Sequence, residues 1–235
     1  MNIFYAPHHP NETSVLDERE SHHCIKVLRH RKSDKIIISD GQGGLFEAVI
    51  EDPDPKACRV RITCTLEDKQ ARNYYLHMAV SPLKNPERFE WFLEKSVEIG
   101  VDEITPVLCS NTEKKRVRMD RAEVIIISAM KQSLKSRKTI LNRPAGFMEF
   151  IKSSGSEIKL IAHCSESYDK IQVKEAYNNE RNIIFMIGPE GDFTAGEIKA
   201  ALREGYIPVT LGKSRLRTET AGIAACHSIY FLNNY

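Results

Sequence analysis

The chain has 235 residues, 41% of them hydrophobic, and a formal charge of +2 at pH 7, which is enough to bury one good core and more readily two. No apolar run approaches the ~20 residues of a membrane span. The opening Met1-Asn2-Ile3-Phe4-Tyr5 lacks the basic, apolar and cleavage-site order of a secretion signal, so a cytoplasmic protein with no membrane partner is expected. Six cysteines (Cys24, Cys58, Cys64, Cys109, Cys164 and Cys226) include no Cys-x-x-Cys pair, which argues against metal knuckles and a disulfide framework and for reduced thiols.

The first seventy residues read as β-rich. Lys35 to Ser39, Leu45 to Glu51 and Ala57 to Leu66 are β-branched runs, separated by the turn signals Gly41-Gln42-Gly43-Gly44 and Pro53-Asp54-Pro55. One short helix is expected over Glu20 to Leu28. Sequential hairpins of this kind make a small barrel or sandwich. Residues 1–70 therefore form one predicted domain, and the polar Glu67 to Arg72 a linker.

From Asn73 the rhythm alternates between strand and helix, so 73–235 reads as a second domain built on a mainly parallel sheet. Tyr75 to Val80 is a strand. Asn85 caps a helix with Pro86 in its first position and Gly100 at its end. Glu103 to Leu108 is a strand, and Asp120…Glu123 is a variant capping box for a helix reaching about Arg137. After the strand Lys159 to His163, two apolar runs (Ile183 to Ile187 and Pro208 to Leu211) each lead through a glycine-bearing loop into an amphipathic stretch. Thr194…Glu197 is a second capping box and Gly205 a helix stop. The loops are Gly188-Pro189-Glu190-Gly191-Asp192-Phe193-Thr194 and Leu211-Gly212-Lys213-Ser214-Arg215-Leu216-Arg217-Thr218-Glu219-Thr220-Ala221. Glycine there lets backbone approach a ligand, and the helix start offers unpaired N–H donors. A small, partly polar ligand held by backbone groups follows.

Charge is unevenly spread. Residues 113–143 hold ten Lys/Arg against three acids, and Lys26, Arg29, Arg31, Lys32 and Lys35 cluster near His30. Each cluster alone suits a solvated face; together, beside a ligand-binding half, they point towards RNA or DNA. Gly212-Lys213-Ser214 resembles the end of a phosphate loop, but Ile207 stands where its first glycine is needed. No Gly-x-Gly-x-x-Gly occurs in either loop and no Gly-x-Ser-x-Gly appears. His22-His23 are adjacent, and adjacent helical residues point ~100° apart. With no third ligand at useful spacing, no metal is expected.

At these loops the sequence resembles the RsmE type of SPOUT methyltransferase, bacterial uridine-N3 methyltransferases of 16S ribosomal RNA. Gly188-Pro-Glu-Gly, Leu211-Gly and Leu216-Arg-Thr-Glu-Thr-Ala221 match the cofactor loops; His22-His23 through Val27-Leu28-Arg29 matches the N-terminal signature; Lys84 and Glu94-Lys95 to Glu98-Ile99-Gly100 match the opening of the catalytic domain. The resemblance implies a PUA-like β-barrel followed by an α/β SPOUT domain with a trefoil knot, and a homodimer. It implies S-adenosylmethionine as cofactor, held by Ile161, Ala162 and His163, by Gly188, Pro189, Glu190 and Gly191, and by Leu211, Gly212, Leu216, Thr218 and Ala221. The partner would be 16S ribosomal RNA or the small ribosomal subunit, with Arg29, Arg31, Lys32, Lys84, Lys114, Lys115, Arg116 and Arg118 as RNA contacts. The family usually has a second glycine where Asp192 stands, arginine and isoleucine where Ser214 and Arg215 stand, and Glu and Arg where Lys131 and Lys135 stand.

The reaction constrains the site independently. N3 of uracil lies on the Watson–Crick edge, so the target must be single-stranded or extruded. A guanidinium near the uracil carbonyls would stabilise the developing anion, and Arg217 is the candidate. Glu219 could orient the base, accept the proton, or cap the last helix. A ribose 2′-O-methyltransferase and a non-catalytic RNA- or ribosome-binding protein are the alternatives.

Overall fold

In the computed structural model, which describes residues 3–7, 12–153, 155–178 and 181–234, the chain divides into two units. Met1–Ala71 groups with Ile127–Lys138, and Arg72–Ile126 with Thr139–Tyr235. The first unit contains β1 (Ile3–Tyr5), β2 (Thr13–Val15), α1 (Glu18–His22), β3 (Lys35–Ser39), β4 (Leu45–Asp52) and β5 (Arg59–Leu66). Three-residue strands are too short for alternation to register, which is why β1 and β2 escape the sequence pattern. The sheet order is β1-β3-β4-β5-β2. The expected hairpins form between β3, β4 and β5, whereas β1 runs parallel to β3. Period-two alternation sorts the isoleucines: Ile36 and Ile38 join Phe4, Leu16, Ala48, Ile50 and Val60 in one core, and Ile37 joins Ile3 and Leu45 on the opposite face.

Asp17 caps α1 by accepting the Glu20 N–H at 2.7 Å. The element then widens into a π-helical turn, His23–Val27, and Arg29 ends it with φ +60°. The predicted helix over Glu20 to Leu28 thus starts earlier and is α-helical only in its first half. The polar segment predicted as a linker is anchored: the Asp68 carboxylate accepts from the Ser136 hydroxyl, and the Gln70 amide donates to the Ser133 carbonyl at 3.2 Å.

The second unit begins with β6 (Tyr75–Val80), α2 (Pro86–Ile99) and β7 (Glu103–Leu108). Asn85 accepts the Glu87 N–H at 2.9 Å, and Gly100 closes α2 at φ +120°. Next comes α3 (Met119–Gln132), whose last residues belong to the first unit. It differs from expectation at both ends. Asp120 lies inside the first turn rather than at the cap, and the helix stops at Gln132 because Leu134 turns left-handed, φ +59°.

Short strands β8 (Ile140–Leu141) and β9 (Ala145–Gly146) lead to α4 (Phe147–Ser153). The chain continues through β10 (Ile158–Ala162), β11 (Ile171–Gln172), α5 (Val173–Ala176), β12 (Asn182–Ile187), α6 (Ala195–Arg203), β13 (Ile207–Thr210) and α7 (Thr218–Asn234). The Thr194–Glu197 capping box forms as expected. The sheet order is β11-β13-β10-β12-β6-β7-β8, with β9 also on β7, and its pairings are parallel. Ala79, Ile161, Ile184 and Met186 face Phe147, Phe150, Ile151, Ile198 and Ala201 of α4 and α6. The alternate residues of β6 and β12 point to the other face, and α7 packs on both strands and on α2. Among the described residues no helix is long and apolar enough to cross a membrane.

Candidate cofactor cleft

Three neighbouring strands end level with one another. Ala162 at the end of β10 pairs with Ile187 of β12 on one side and Val209 of β13 on the other. The connection from β12 to β13 passes over β10, so their following loops open on a crevice outside the carboxyl ends of the strands, where parallel sheets bind ligands. The crevice has a volume of about 860 Å³.

The cleft takes its walls from the predicted loops. Ala162, His163, Gly188, Pro189, Glu190, Leu211, Gly212, Leu216, Arg217, Thr218 and Ala221 line it. Ile161 does not, being fully buried inside β10. Neither does Gly191: a Cβ there would lie 3.2 Å from the Cβ of Asn111, whose side-chain amide donates to the carbonyls of Gly191 at 3.1 Å and Asp192 at 3.0 Å. Gly191 is therefore glycine for the approach of Asn111. Gly212 behaves differently. Its φ is +127°, and since a Cβ there would meet nothing within 4 Å, it is the backbone conformation that favours glycine.

Side chains that the motifs did not single out complete the site. Lys170 donates to the carbonyls of Ser165 at 2.9 Å and His163 at 3.3 Å, bracing the first loop. Asp192 accepts the Cys164 N–H at 2.9 Å, joining the first loop to the second. Cys164, Ser165, Glu166, Lys213, Ser214 and Arg215 also line the cleft. For Cys164, Ser165 and Glu166 the position just after a strand end is the one signal the sequence carries, whereas Lys213, Ser214 and Arg215 belong to the last predicted loop; Asn111, eighty residues from Gly191, carries none.

His163 is 8% exposed, and both its ring nitrogens are buried without partners. Burial, and then the nearby Lys170 charge, push this imidazole below its ordinary value, so it presents a neutral ring at pH 7. Glu197 supports the site from behind. Burial opposes its ionisation, but hydrogen bonds from Thr194 and Ser110, at 2.7 to 3.1 Å, outweigh that and hold the carboxyl below its usual range.

The two candidate catalytic residues separate. Arg217 lines the cleft, is exposed, and pairs with no described carboxylate. Glu219 lies outside the lining, 7% exposed, with one oxygen 3.7 Å from the Arg88 guanidinium and the other buried without a partner. Of the candidate RNA contacts, Lys84 pairs with Glu113 at 2.8 Å, which raises its pKa, and Arg118 pairs with Glu90 at 2.7 Å. Lys114, Lys115 and Arg116 are exposed on the same unit; Arg29, Arg31 and Lys32 are exposed on the first.

An all-parallel sheet with a loop-built cleft, joined to a small β unit, matches known proteins along its length. The family described as the RNA methyltransferase domain matches residues 70–230, and the RNA methyltransferase PUA domain matches residues 16–63. Both units are therefore those of an RNA methyltransferase with a PUA domain. The chain is 33% identical to the ribosomal RNA small subunit methyltransferase E of Mesomycoplasma hyopneumoniae, covering 85% of this chain and 86% of that one. Among solved structures, a probable rRNA methyltransferase from Porphyromonas gingivalis is 37% identical with a TM-score of 0.92, over 99% of this chain and 98% of that one. Ribosomal RNA small subunit methyltransferase E from Neisseria gonorrhoeae, solved bound to S-adenosylmethionine, is 29% identical with a TM-score of 0.89, over 99% and 98% of the two chains. The chain belongs to the ribosomal RNA small subunit methyltransferase E family.

Proposed function

We propose that this protein methylates N3 of a uridine in 16S ribosomal RNA, with S-adenosylmethionine held in the cleft at the ends of β10, β12 and β13. The observation that carries this reading is the cleft's construction. Three loops from adjacent parallel strands enclose it, Gly212 turns the last of them at φ +127°, and the partnerless nitrogens of His163 offer buried polar contacts. These features suit a ligand with an aromatic base and polar ends. The cofactor, when bound, supplies an activated methyl group on a sulfonium.

The chain's own residues then orient, exclude water and stabilise charge. Uracil must leave its pair to expose N3, and loss of the N3 proton spreads negative charge onto the flanking carbonyls. The Arg217 guanidinium has no described carboxylate to neutralise it, so it is free to face that charge. Glu219 lies outside the lining, and the carboxylates that do line the cleft are Glu166, Glu190 and Asp192. Lys114, Lys115 and Arg116 on one unit and Arg29, Arg31 and Lys32 on the other supply phosphate contacts.

A trefoil knot in the chain path, residence in the cytoplasm and a homodimer belong to the same reading. In support of the dimer, α7 is apolar around much of its circumference (Ile223, Ala224, Ala225, Cys226, Ile229, Tyr230, Phe231, Leu232), and Phe231 and the α2 residue Trp91 are 51% and 44% exposed. Incubating the protein with S-adenosylmethionine and small ribosomal subunits or their RNA, then analysing digested nucleosides by mass spectrometry, tests the function. 3-Methyluridine formed over repeated turnovers is expected. A 2′-O-methylated nucleoside would move the protein to the ribose class, and binding without turnover would make it an RNA-binding protein only.

A further inference from the structure

Asp192 stands out among the residues of the cleft because its backbone is left-handed, φ +62°, without being glycine. That conformation costs about 1 kcal/mol or more for a residue with a Cβ. Its surroundings hold it there. The Asp192 N–H donates to the Pro189 carbonyl at 2.9 Å, its own carbonyl accepts from the Asn111 amide at 3.0 Å, and its carboxylate accepts the Cys164 N–H at 2.9 Å. The side chain thus reaches from the loop after β12 to the loop after β10, at a position that lines the cleft.

One backbone N–H does not neutralise a carboxylate. Other charged groups line the same cleft: Glu166, Glu190, Lys170, Lys213, Arg215 and Arg217. Glu190 likewise accepts one backbone N–H, that of Lys84 at 2.9 Å, and Lys170 donates to the carbonyls of its own loop. Asp192 moves the balance among these side chains from four cations against two carboxylates to four against three, which lessens a field unfavourable to a positively charged ligand.

Resting on the assignment of S-adenosylmethionine to this cleft, we propose that Asp192 is a specificity-determining residue that ties two cofactor loops together and favours the cationic sulfonium cofactor over its neutral thioether product. The methyl donor and S-adenosylhomocysteine differ by one methyl and one positive charge, so a fixed carboxylate discriminates between them by Coulomb attraction while leaving their shared parts alike. The same charge difference serves product release: the spent cofactor lacks the attraction that held the fresh one.

Calorimetric affinities of the full chain for both ligands test the proposal. Asp192→Asn keeps an acceptor oxygen for the Cys164 N–H and tolerates the left-handed backbone, but removes the charge. Asp192→Gly removes both while relieving the backbone. The ratio of S-adenosylmethionine to S-adenosylhomocysteine affinity should fall about fivefold to tenfold in Asp192→Asn, with S-adenosylhomocysteine binding little changed. In Asp192→Gly the ratio should fall as far and both affinities should also drop. A wild-type ratio in both variants, or equal weakening of both ligands in Asp192→Asn, would overturn the charge role. Wild-type protein that binds neither ligand would overturn the cofactor assignment itself, and this inference with it.

Discussion

Arg217 and Glu219 stand two residues apart in one motif, yet packing gives them different surroundings. Arg217 faces the cleft, whereas Glu219 turns into the protein towards Arg88. Arg217→Ala should therefore lower the single-turnover methylation rate by roughly a hundredfold, the scale of losing one transition-state donor, with cofactor affinity nearly unchanged. A rate within twofold of wild type would remove Arg217 from the chemistry. Lys131 is the other instructive residue. Where the family usually has an acid, this lysine meets Glu20 at 2.5 Å with side chains 18% and 6% exposed, and Glu20 also accepts the Tyr5 N–H at 3.1 Å. Breaking one half of such a pair strands a buried charge, so Lys131→Met should destabilise the chain by about 3 kcal/mol. Lys131→Met combined with Glu20→Gln should recover much of that loss. Chemical denaturation of Lys131→Met, Glu20→Gln and the double variant measures it, and strictly additive losses would contradict the pairing.

At the scale of elements, the loops between strand ends and helix starts build the cleft, and the second is held from outside it. Asn111 clamps the second loop through two carbonyls, so Gly191→Val should act by displacing Asn111 and not by filling the cofactor space. Cofactor affinity should fall in Gly191→Val and in Asn111→Ala, and the double variant should be no worse than the poorer single one. Independent, additive losses by calorimetry would return Gly191 to the cleft wall. The helix α3 and the segment before β6 show the same dependence on distant partners. Nothing local marks Leu134 as a left-handed helix stop, and nothing in Glu67 to Arg72 announces that Asp68 and Gln70 bind residues near 135. Arg72, at the end of that segment, pairs with Asp102 at 2.6 Å and lies 4.8 Å over the Tyr74 ring.

Over the whole molecule, two collective properties follow from where charges lie. His23, His77 and His163 each have a pKa pushed below 6.5, burial being the largest cause in every case. Their folded forms resist protonation, so the unfolded chain binds more protons once pH falls below about 6.5. Stability from these groups is therefore complete above that pH and is lost as pH drops towards their lowered folded values. Thermal midpoints measured from pH 8 to pH 5 should fall on the acid side, and His-to-Gln replacement at the three positions should flatten the slope. An unchanged slope would place the pH dependence elsewhere. RNA binding is the second property. Lys84 and Arg118 already have carboxylate partners, so Lys114, Lys115 and Arg116 are the better probes. Their triple alanine variant should lose up to about three units of salt slope in ribosomal RNA binding, without change in cofactor affinity. An unaltered slope would make that surface a solvated face.

Local chemistry is what the sequence determined by itself. Asn85-Pro86 and Gly100 set the ends of α2, Thr194 and Glu197 close a capping box, and β-branched runs mark β3, β4, β7 and β12, because each signal acts within a few residues. Glycine at 188 and 212 likewise announced the loops that now line the cleft. Tertiary structure alone decided which residues of a motif face the cleft. Gly191, Ile161 and Glu219 left the cleft lining, while Asp192, Lys170 and Cys164 joined it. Those outcomes depend on partners such as Asn111 and Arg88, brought near from positions far along the chain, and contacts of that range leave no periodic trace in the residues that make them.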